Sequence, residues 1–286
     1  MSAAGHTDAI LVYLDKDLEY VPGCPGHAGR SPIEKGSNNM HKTLRRAPVL
    51  LALSAALLTG AVPAHAADQA SSTWQSVLAS PLRTDDDRKG DEHRKSAEFL
   101  TFAQVKPGMK VLDVSSGGGA TASLLTAAVG PKGEVWAQNA KPNAKLDARL
   151  GQATLPNLHA VVADFNDPVP KGTPPLDLVT INMSYHDIVN TPADRAALNK
   201  RLYDALKPGG HLVIIDNAAR KGSGLSATKT LHRIDEDTVV DEVTKAGFKV
   251  DARSDYLRAP SDPREQPFFE MKGAPDDKFA IRFVKK

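Results

Sequence analysis

Three polar clusters hold the side chains best suited to chemistry: Asn182-Met-Ser-Tyr-His-Asp187, Asp216-Asn217 and His232-Arg233. Histidine ionises nearest neutrality, so it is the natural group to take a proton from a hydroxyl acceptor. His186 with Asp187, or His232 with Asp235, would supply a base with an acid at hand. Each residue also has a plainer reading. His186 fits a strand-end contact to backbone, His232 a residue at a helix start, and Asp187 a helix cap. Tyr185 fits packing, Asp216 a partner for the preceding turn, and Arg233 a surface or salt-bridge residue. His186 and Asp187 are sequence neighbours, so their side chains need not meet. No metal site is expected, because the histidines lack the spacing of H-E-x-x-H and the chain has one cysteine, Cys24.

A second candidate is the run Asp113-Val-Ser-Ser-Gly-Gly-Gly119. Glycines between a strand and a helix let the backbone turn tightly and let a ligand approach without meeting a Cβ. The helix start beyond them offers unpaired N–H groups to a carboxylate or phosphate. A tight turn without ligand has the same pattern, and Gly117-x-Gly119-x-x-Ala122 satisfies a loose dinucleotide fingerprint. Asp113 shifts the balance. A carboxylate at the strand end would repel a pyrophosphate and suits a cationic ammonium.

These residues need a scaffold that alternates strands and helices. Strands are expected at Lys110–Val114, Glu134–Gln138, Leu158–Ala163, Leu176–Met183, His211–Asp216, Phe248–Ala252 and Phe279–Val284. Helices are expected at Asp91–Phe102, Ala120–Val129, Asn143–Leu150, Pro192–Leu206 with Thr191 as cap, and Asp235–Ala246 ended by Gly247. Such alternation forces crossovers, and hence an α/β fold with a parallel sheet covered on both faces. Ligands then sit beyond the carboxyl ends of the strands, where all three polar clusters fall.

The segment Val111-Leu-Asp-Val-Ser-Ser-Gly-Gly-Gly119 resembles motif I of the class I, Rossmann-like S-adenosylmethionine-dependent methyltransferases. Gly133-Glu-Val-Trp-Ala-Gln-Asn139, Ala163-Asp-Phe165, Asp177-Leu-Val-Thr-Ile-Asn182 and Leu206-Lys-Pro-Gly-Gly-His-Leu-Val-Ile-Ile-Asp216 are similar to the later motifs in the same order. The resemblance covers most of residues 91–286. It implies a doubly wound seven-stranded sheet with an antiparallel last strand, S-adenosylmethionine as cofactor, and methyl transfer to a small molecule or an exposed protein group. Asp113 would face the methionine ammonium, with Ser115, Gly117, Gly118 and Gly119 lining the cofactor. Asn139 would reach the ribose, Asp164 the adenine amino group, Phe165 would lie beside the ring, and Asn182 would border the site. Two positions depart from the motif. Ser115 stands for the usual first glycine, so its backbone must avoid positive φ or shift. Asn139 stands for the usual ribose-binding acid and forgoes charge-assisted strength, weakening binding by about 1–2 kcal/mol. A nucleoside-binding protein that turns nothing over is the alternative on the same fold. An NAD(P)-dependent oxidoreductase would want glycine at 115, an acid at 139 and a second substrate domain.

Tyr185-His186-Asp187, Leu231-His-Arg-Ile-Asp235 and Ala246-Gly-Phe248 resemble a bacterial group of methyltransferases predicted to be exported. Residues 40–66 agree with export. A basic start (His41, Lys42, Arg45, Arg46) precedes an apolar run from Val49 to Ala61 and the small-x-small site Ala64-His65-Ala66. That run is short of the about 20 residues that span a bilayer, so no stable membrane insertion is expected. A signal belongs at the N-terminus, yet 39 residues precede Met40, so residues 1–39 read as an over-extended gene start. The mature protein would be periplasmic or secreted, or cytoplasmic if the prefix is real and masks the signal. Arg45-Arg46 also raises twin-arginine export of a folded chain. Residues 67–90 read as a loose polar lead, with Asp85-Asp86-Asp87 at a helix start or on a solvated face. The formal charge of +2 over 286 residues lacks the basic excess of a nucleic-acid surface. One cysteine excludes a disulfide framework.

Overall fold

The computed structural model describes residues 73–152 and 155–286, all within one of the chain's two compact units. The expected signal at 40–66 and the prefix 1–39 lie outside the described residues. Seven strands form one sheet: β1 (Lys110–Val114), β2 (Glu134–Asn139), β3 (Leu158–Val162), β4 (Leu176–Asn182), β5 (Leu206–Asn217), β6 (Lys249–Ser254) and β7 (Lys278–Val284). Their order is β3-β2-β1-β4-β5-β7-β6. β1, β2, β3, β4 and β5 pair in parallel, and β7 runs antiparallel to both β5 and β6. The doubly wound seven-stranded sheet with an antiparallel last strand that the resemblance implies is the observed one.

Period-two alternation divides the sheet's side chains between two cores. Leu112, Val114, Val179, Ile181, Leu212 and Ile214 face one side. There they pack on α7 (Tyr185–Val189), α8 (Arg195–Ala205) and α10 (Glu236–Lys245) through Ile188, Leu198 and Val239. Val111, Leu178, Val213 and Ile215 face the other side, against α4 (Ser96–Phe102), α5 (Ala120–Val129) and α6 (Ala144–Gln152). Asp113 and Thr180 continue the second row and stand opposite each other in register. The sheet therefore carries a carboxylate into its own core, beneath the turn that follows β1.

The chain lead is helical in part where a loose segment is expected, and Asp85-Asp86-Asp87 opens a helix, one of the two readings of that run. Residues 73–78 are helical (α1), and Asp85–Lys89 forms α2 with Thr84 and Asp87 closing a capping box. Asp87 is buried and binds Arg149 of α6 through both oxygens, at 2.5 and 3.0 Å. One buried ion pair thus packs a segment whose composition reads as solvated. The expected helix Asp91–Phe102 is broken into α3 (Asp91–Arg94) and α4 at Lys95, whose φ is 51°.

After β4 the expected helix Pro192–Leu206 begins later. Asp194 caps α8 by accepting from Ala196 and Ala197 N–H, while Thr191 bonds the Ile188 carbonyl. A five-residue helix, α7, precedes it and carries His186 and Asp187. β5 starts at Leu206, so Lys207-Pro208-Gly209-Gly210 belongs to the strand's irregular start, where the register with β4 shifts. No described helix is long and apolar enough to cross a membrane.

Candidate active site

The glycine turn is wired to the strands on either side. Ser115 N–H donates to Gln138 Oε1 at 3.1 Å, and Gln138 Nε2 donates to the Ala163 carbonyl at 2.6 Å. One fully buried glutamine on β2 thereby ties the turns after β1 and β3 together. Gln138 escaped the sequence reading, although a polar residue flanked by Ala137 and Asn139 on a core strand is the signal that could have found it. Asn139 is occupied by the loop itself. Its Oδ1 accepts from Gly117 N–H at 2.8 Å and its Nδ2 donates to the Gly117 carbonyl at 3.1 Å. A carboxylate could accept the first bond but not donate the second, so the amide clamps the turn here instead of projecting free toward a ribose. Arg149 Nε adds a bond to the Gly118 carbonyl at 2.9 Å, joining the loop to the Asp87 ion pair.

Ser115 corrects a further expectation. It neither avoids positive φ nor shifts, but holds φ 56° as a glycine would. Such a conformation costs an L-residue about 1–2 kcal/mol. Met183, at the end of β4, and His232 share it with φ 57° and 51°. Backbone outliers of this kind gather at functional sites. Gly117, with φ 56°, has no atom within 4 Å of where a Cβ would stand, so it borders open space.

Beneath the turn, Asp113 is buried and accepts from Thr180 Oγ1 at 2.6 Å. Its other oxygen, Oδ2, is buried without a partner. Burial pushes the carboxyl up to about 6, against the lowering effect of the Thr180 and Ser116 hydroxyls. A crevice beside the start of α5 is lined by Arg83, Arg94, Ser96, Phe99, Thr121 and Asn182. Asn182 Nδ2 lies 3.4 Å from Thr121 Oγ1 across it.

Asp164 and Phe165 part company. Asp164 is exposed and accepts from Asn166 N–H at 2.8 Å. Phe165 is packed into the core with Val169 and Leu198.

The three polar clusters converge at the carboxyl end of β4 and β5. His186 Nδ1 lies 2.6 Å from Asp216 Oδ1, and His186 N–H donates to Asp216 Oδ2 at 2.9 Å. Asp216 and His186 are both buried. His186 Nε2 lies 3.3 Å from Asp187 Oδ1, and His232 Nδ1 lies 3.3 Å from the same oxygen. The two rings meet edge to face at 5.4 Å, and Phe269 flanks His232 at 5.4 Å. The return of the chain after β5 places His232: Ala218 bridges Ile234, and Asn217 Nδ2 donates to the His232 carbonyl at 3.1 Å. Burial disfavours charge on His186, but Asp216 and Asp187 outweigh it and raise its pKa to about 10.

His232 therefore shares Asp187 rather than Asp235, whose carboxylate accepts from Gly222 and Gly224 N–H and caps α10. Asp187 and His186 do meet despite adjacency, because α7 turns both toward β5. Asp216 joins the cluster as the partner of His186, a part that reading it as a turn contact had missed. Although the histidines lack metal-site spacing in the sequence, donor atoms of His186, Asp187 and His232 lie within 4.8 Å of one another. Residues 45 apart in sequence form this group, which a search for close helical spacing cannot find. Tyr185 and Arg233 serve packing. Tyr185 is buried between Glu242 and Asn199, and Arg233 between Asp262, the Ala218 carbonyl and Met271.

A strand order of 3-2-1-4-5-7-6 with β7 reversed, and a glycine turn set over a buried acid, define the class I S-adenosylmethionine-dependent methyltransferases. Residues 111–210 match the family model described as a methyltransferase domain. Over 120 residues it is 34% identical to a protein-L-isoaspartate O-methyltransferase of Pyrococcus horikoshii, covering 41% of this chain and 49% of that one. Over 157 residues it is 28% identical to the ubiquinone/menaquinone biosynthesis C-methyltransferase UbiE of Cupriavidus necator, covering 54% and 62%. The chain thus spans about half to three-fifths of the length of these relatives. Among solved structures, a chain from the Haloferax volcanii complex of the Trm112 methyltransferase activator shares the fold. Its TM-score is 0.50 at 17% identity, over 70% of this chain and 93% of that chain.

Proposed function

We propose that this protein transfers the methyl group of S-adenosylmethionine to a small-molecule acceptor that is positioned at the His186–Asp187–His232 cluster. The observation that carries the reading is Asp113 Oδ2, a buried carboxylate oxygen with no partner beneath the glycine turn. Leaving such an atom unsatisfied costs about 1–3 kcal/mol, and an ammonium group repairs it. The space at Gly117 provides the cradle, and a Cβ there would intrude on it. The cofactor, when bound, supplies an electrophilic methyl on a sulfonium.

The chain's own residues do the rest. Asp113 would hold the ammonium end, and the guanidinium-lined crevice at Arg94 and Thr121, beside the start of α5, suits the carboxylate end. Exposed Asp164 remains available to an adenine amino group. Methyl transfer requires in-line approach, so positioning accounts for much of the rate. The cluster at the ends of β4 and β5 lies on the same sheet edge as the turn, which suits it to orient an acceptor. A dinucleotide reading is disfavoured by the same acid, which repels a pyrophosphate, and by the reversed β7.

Titration calorimetry of the whole chain with adenosylmethionine and with NAD tests the reading. Binding of the first alone is expected, and equal binding by Asp113→Ala would refute the loop assignment. The basic, apolar and small-residue order of 40–66 supports export, and N-terminal sequencing of the protein from its host is expected to begin at Ala67.

A further inference from the structure

The cluster's distances separate into two kinds. His186 Nδ1 to Asp216 Oδ1, at 2.6 Å, is a short charge-assisted hydrogen bond. The contacts of His186 Nε2 and His232 Nδ1 with Asp187 Oδ1, both 3.3 Å, are long for such a bond, which runs at about 2.7–2.9 Å. They match another geometry. A tetrahedral zinc site with bonds of about 2.0–2.1 Å has ligand-to-ligand edges of about 3.3–3.4 Å.

We propose that His186 Nε2, Asp187 and His232 Nδ1 bind a zinc-class divalent cation, with a fourth position left for the methyl acceptor. The inference deepens the methyltransferase reading, since it states how the cluster would activate the acceptor, although metal binding itself does not require methyl transfer. Four observations converge on it. The donor set is two imidazoles and one carboxylate, with all donor atoms within 4.8 Å. His186 commits Nδ1 to buried Asp216, which is the outer carboxylate that fixes the ring and directs Nε2 inward in metal-bound histidines. Asp187 and Asp216 place two negative charges against the rings, which a dication balances. His232 is held by the Asn217 bond to its carbonyl and by a left-handed backbone that presents its ring beside Asp187. Asp187 and His232 keep 28% and 19% side-chain exposure, so the group is reachable from one side.

A hydroxyl or thiol of the acceptor bound at the open position would lose its proton to solvent more readily. Its heteroatom then forms the new bond to the methyl carbon as the carbon–sulfur bond breaks, and the electron pair of that bond stays on sulfur.

Equilibrium dialysis of the untagged full chain against zinc, followed by elemental analysis, tests the site. One zinc per chain is expected for the wild type. Asp187→Asn and His232→Asn are expected to lose affinity at least tenfold, and His159→Ala to match the wild type. Asparagine tolerates the left-handed backbone at 232, and circular dichroism verifies that each variant is folded. Cobalt loading is expected to give the intense visible absorption of a four-coordinate site. Absence of zinc in the wild type, retention by both variants, or a weak six-coordinate cobalt spectrum would each overturn the proposal. Adenosylmethionine titrated into the same samples keeps the two readings apart: cofactor binding without zinc sinks only the metal site, and zinc without cofactor binding sinks only the cofactor assignment.

Discussion

Replacing Asp113 with asparagine is expected to stabilise the cofactor-free protein while weakening its grip on adenosylmethionine. In the folded chain, burial raises this carboxyl from an ordinary 3.8 to about 6. A raised acid means that the native state binds more protons than the unfolded chain between those two values, so stability falls as pH rises through that window. Above it the ionised carboxylate destabilises the fold by the full difference. About two pKa units at 1.36 kcal/mol each give about 3 kcal/mol. Asparagine removes that penalty and keeps an oxygen for the 2.6 Å bond from Thr180. It also places an amide N–H₂ where Oδ2 lacks a partner, which takes back about 1–2 kcal/mol. A net gain of about 1–2 kcal/mol remains at pH 8, roughly 2–8 °C in melting temperature for a domain of this size.

Thermal melts of wild type and Asp113→Asn from pH 5 to 8 measure it, with a gap that opens as pH rises. In titration calorimetry the same variant should bind adenosylmethionine about 10- to 100-fold more weakly, since a hydrogen bond to a charged partner contributes about 1.5–3 kcal/mol. A variant less stable than wild type at pH 8, a gap that does not change with pH, or an unchanged affinity would refute the reasoning.

Ser115→Gly should relieve the left-handed strain and raise stability by about 1 kcal/mol in urea denaturation, with the Gln138 contact through the backbone intact. Gly117→Ala meets no atom within 4 Å, so it should fold with a loss of about 1 kcal/mol, yet its methyl group enters the cradle and calorimetry should show at least tenfold weaker cofactor binding. Arg149→Met strands buried Asp87 and removes the donor to the Gly118 carbonyl, so the urea midpoint should fall by the equivalent of about 3 kcal/mol. Burial would raise Asp87, but bonds from Arg149 and Thr84 hold it below its ordinary value. Its contribution is therefore present above about pH 3.8 and lost as pH falls through the lower native value, and the variant should lose that acid sensitivity.

The scaffold was legible because it rests on local patterns. β1 and α5 run Lys110–Val114 and Ala120–Val129, the same bounds that the apolar run and the flanking glycines indicate. Asp113 was legible as a carboxylate under a glycine turn. What the sequence concealed are pairings that only the strand order creates. Asp216 reads as the polar end of a strand until β4 and β5 lie side by side and bring it to His186, 30 residues earlier in the chain. His232 reads as the neighbour of Asp235, three positions on, whereas the bridge between Ala218 and Ile234 folds it back onto Asp187.

The same reasoning accounts for the two departures from the family pattern. Taken singly, Ser115 and Asn139 look like weakened cofactor contacts. In the fold they belong to one local lattice, in which Gln138 receives the Ser115 N–H and Asn139 bonds both backbone groups of Gly117. A rigid turn can hold a serine at positive φ because its neighbours fix the backbone on both sides. The strain at Ser115 and the amide at 139 thus sit in the same turn, held by separate bonds. Relieving one without the other changes how firmly the turn is held rather than which ligand it is shaped for.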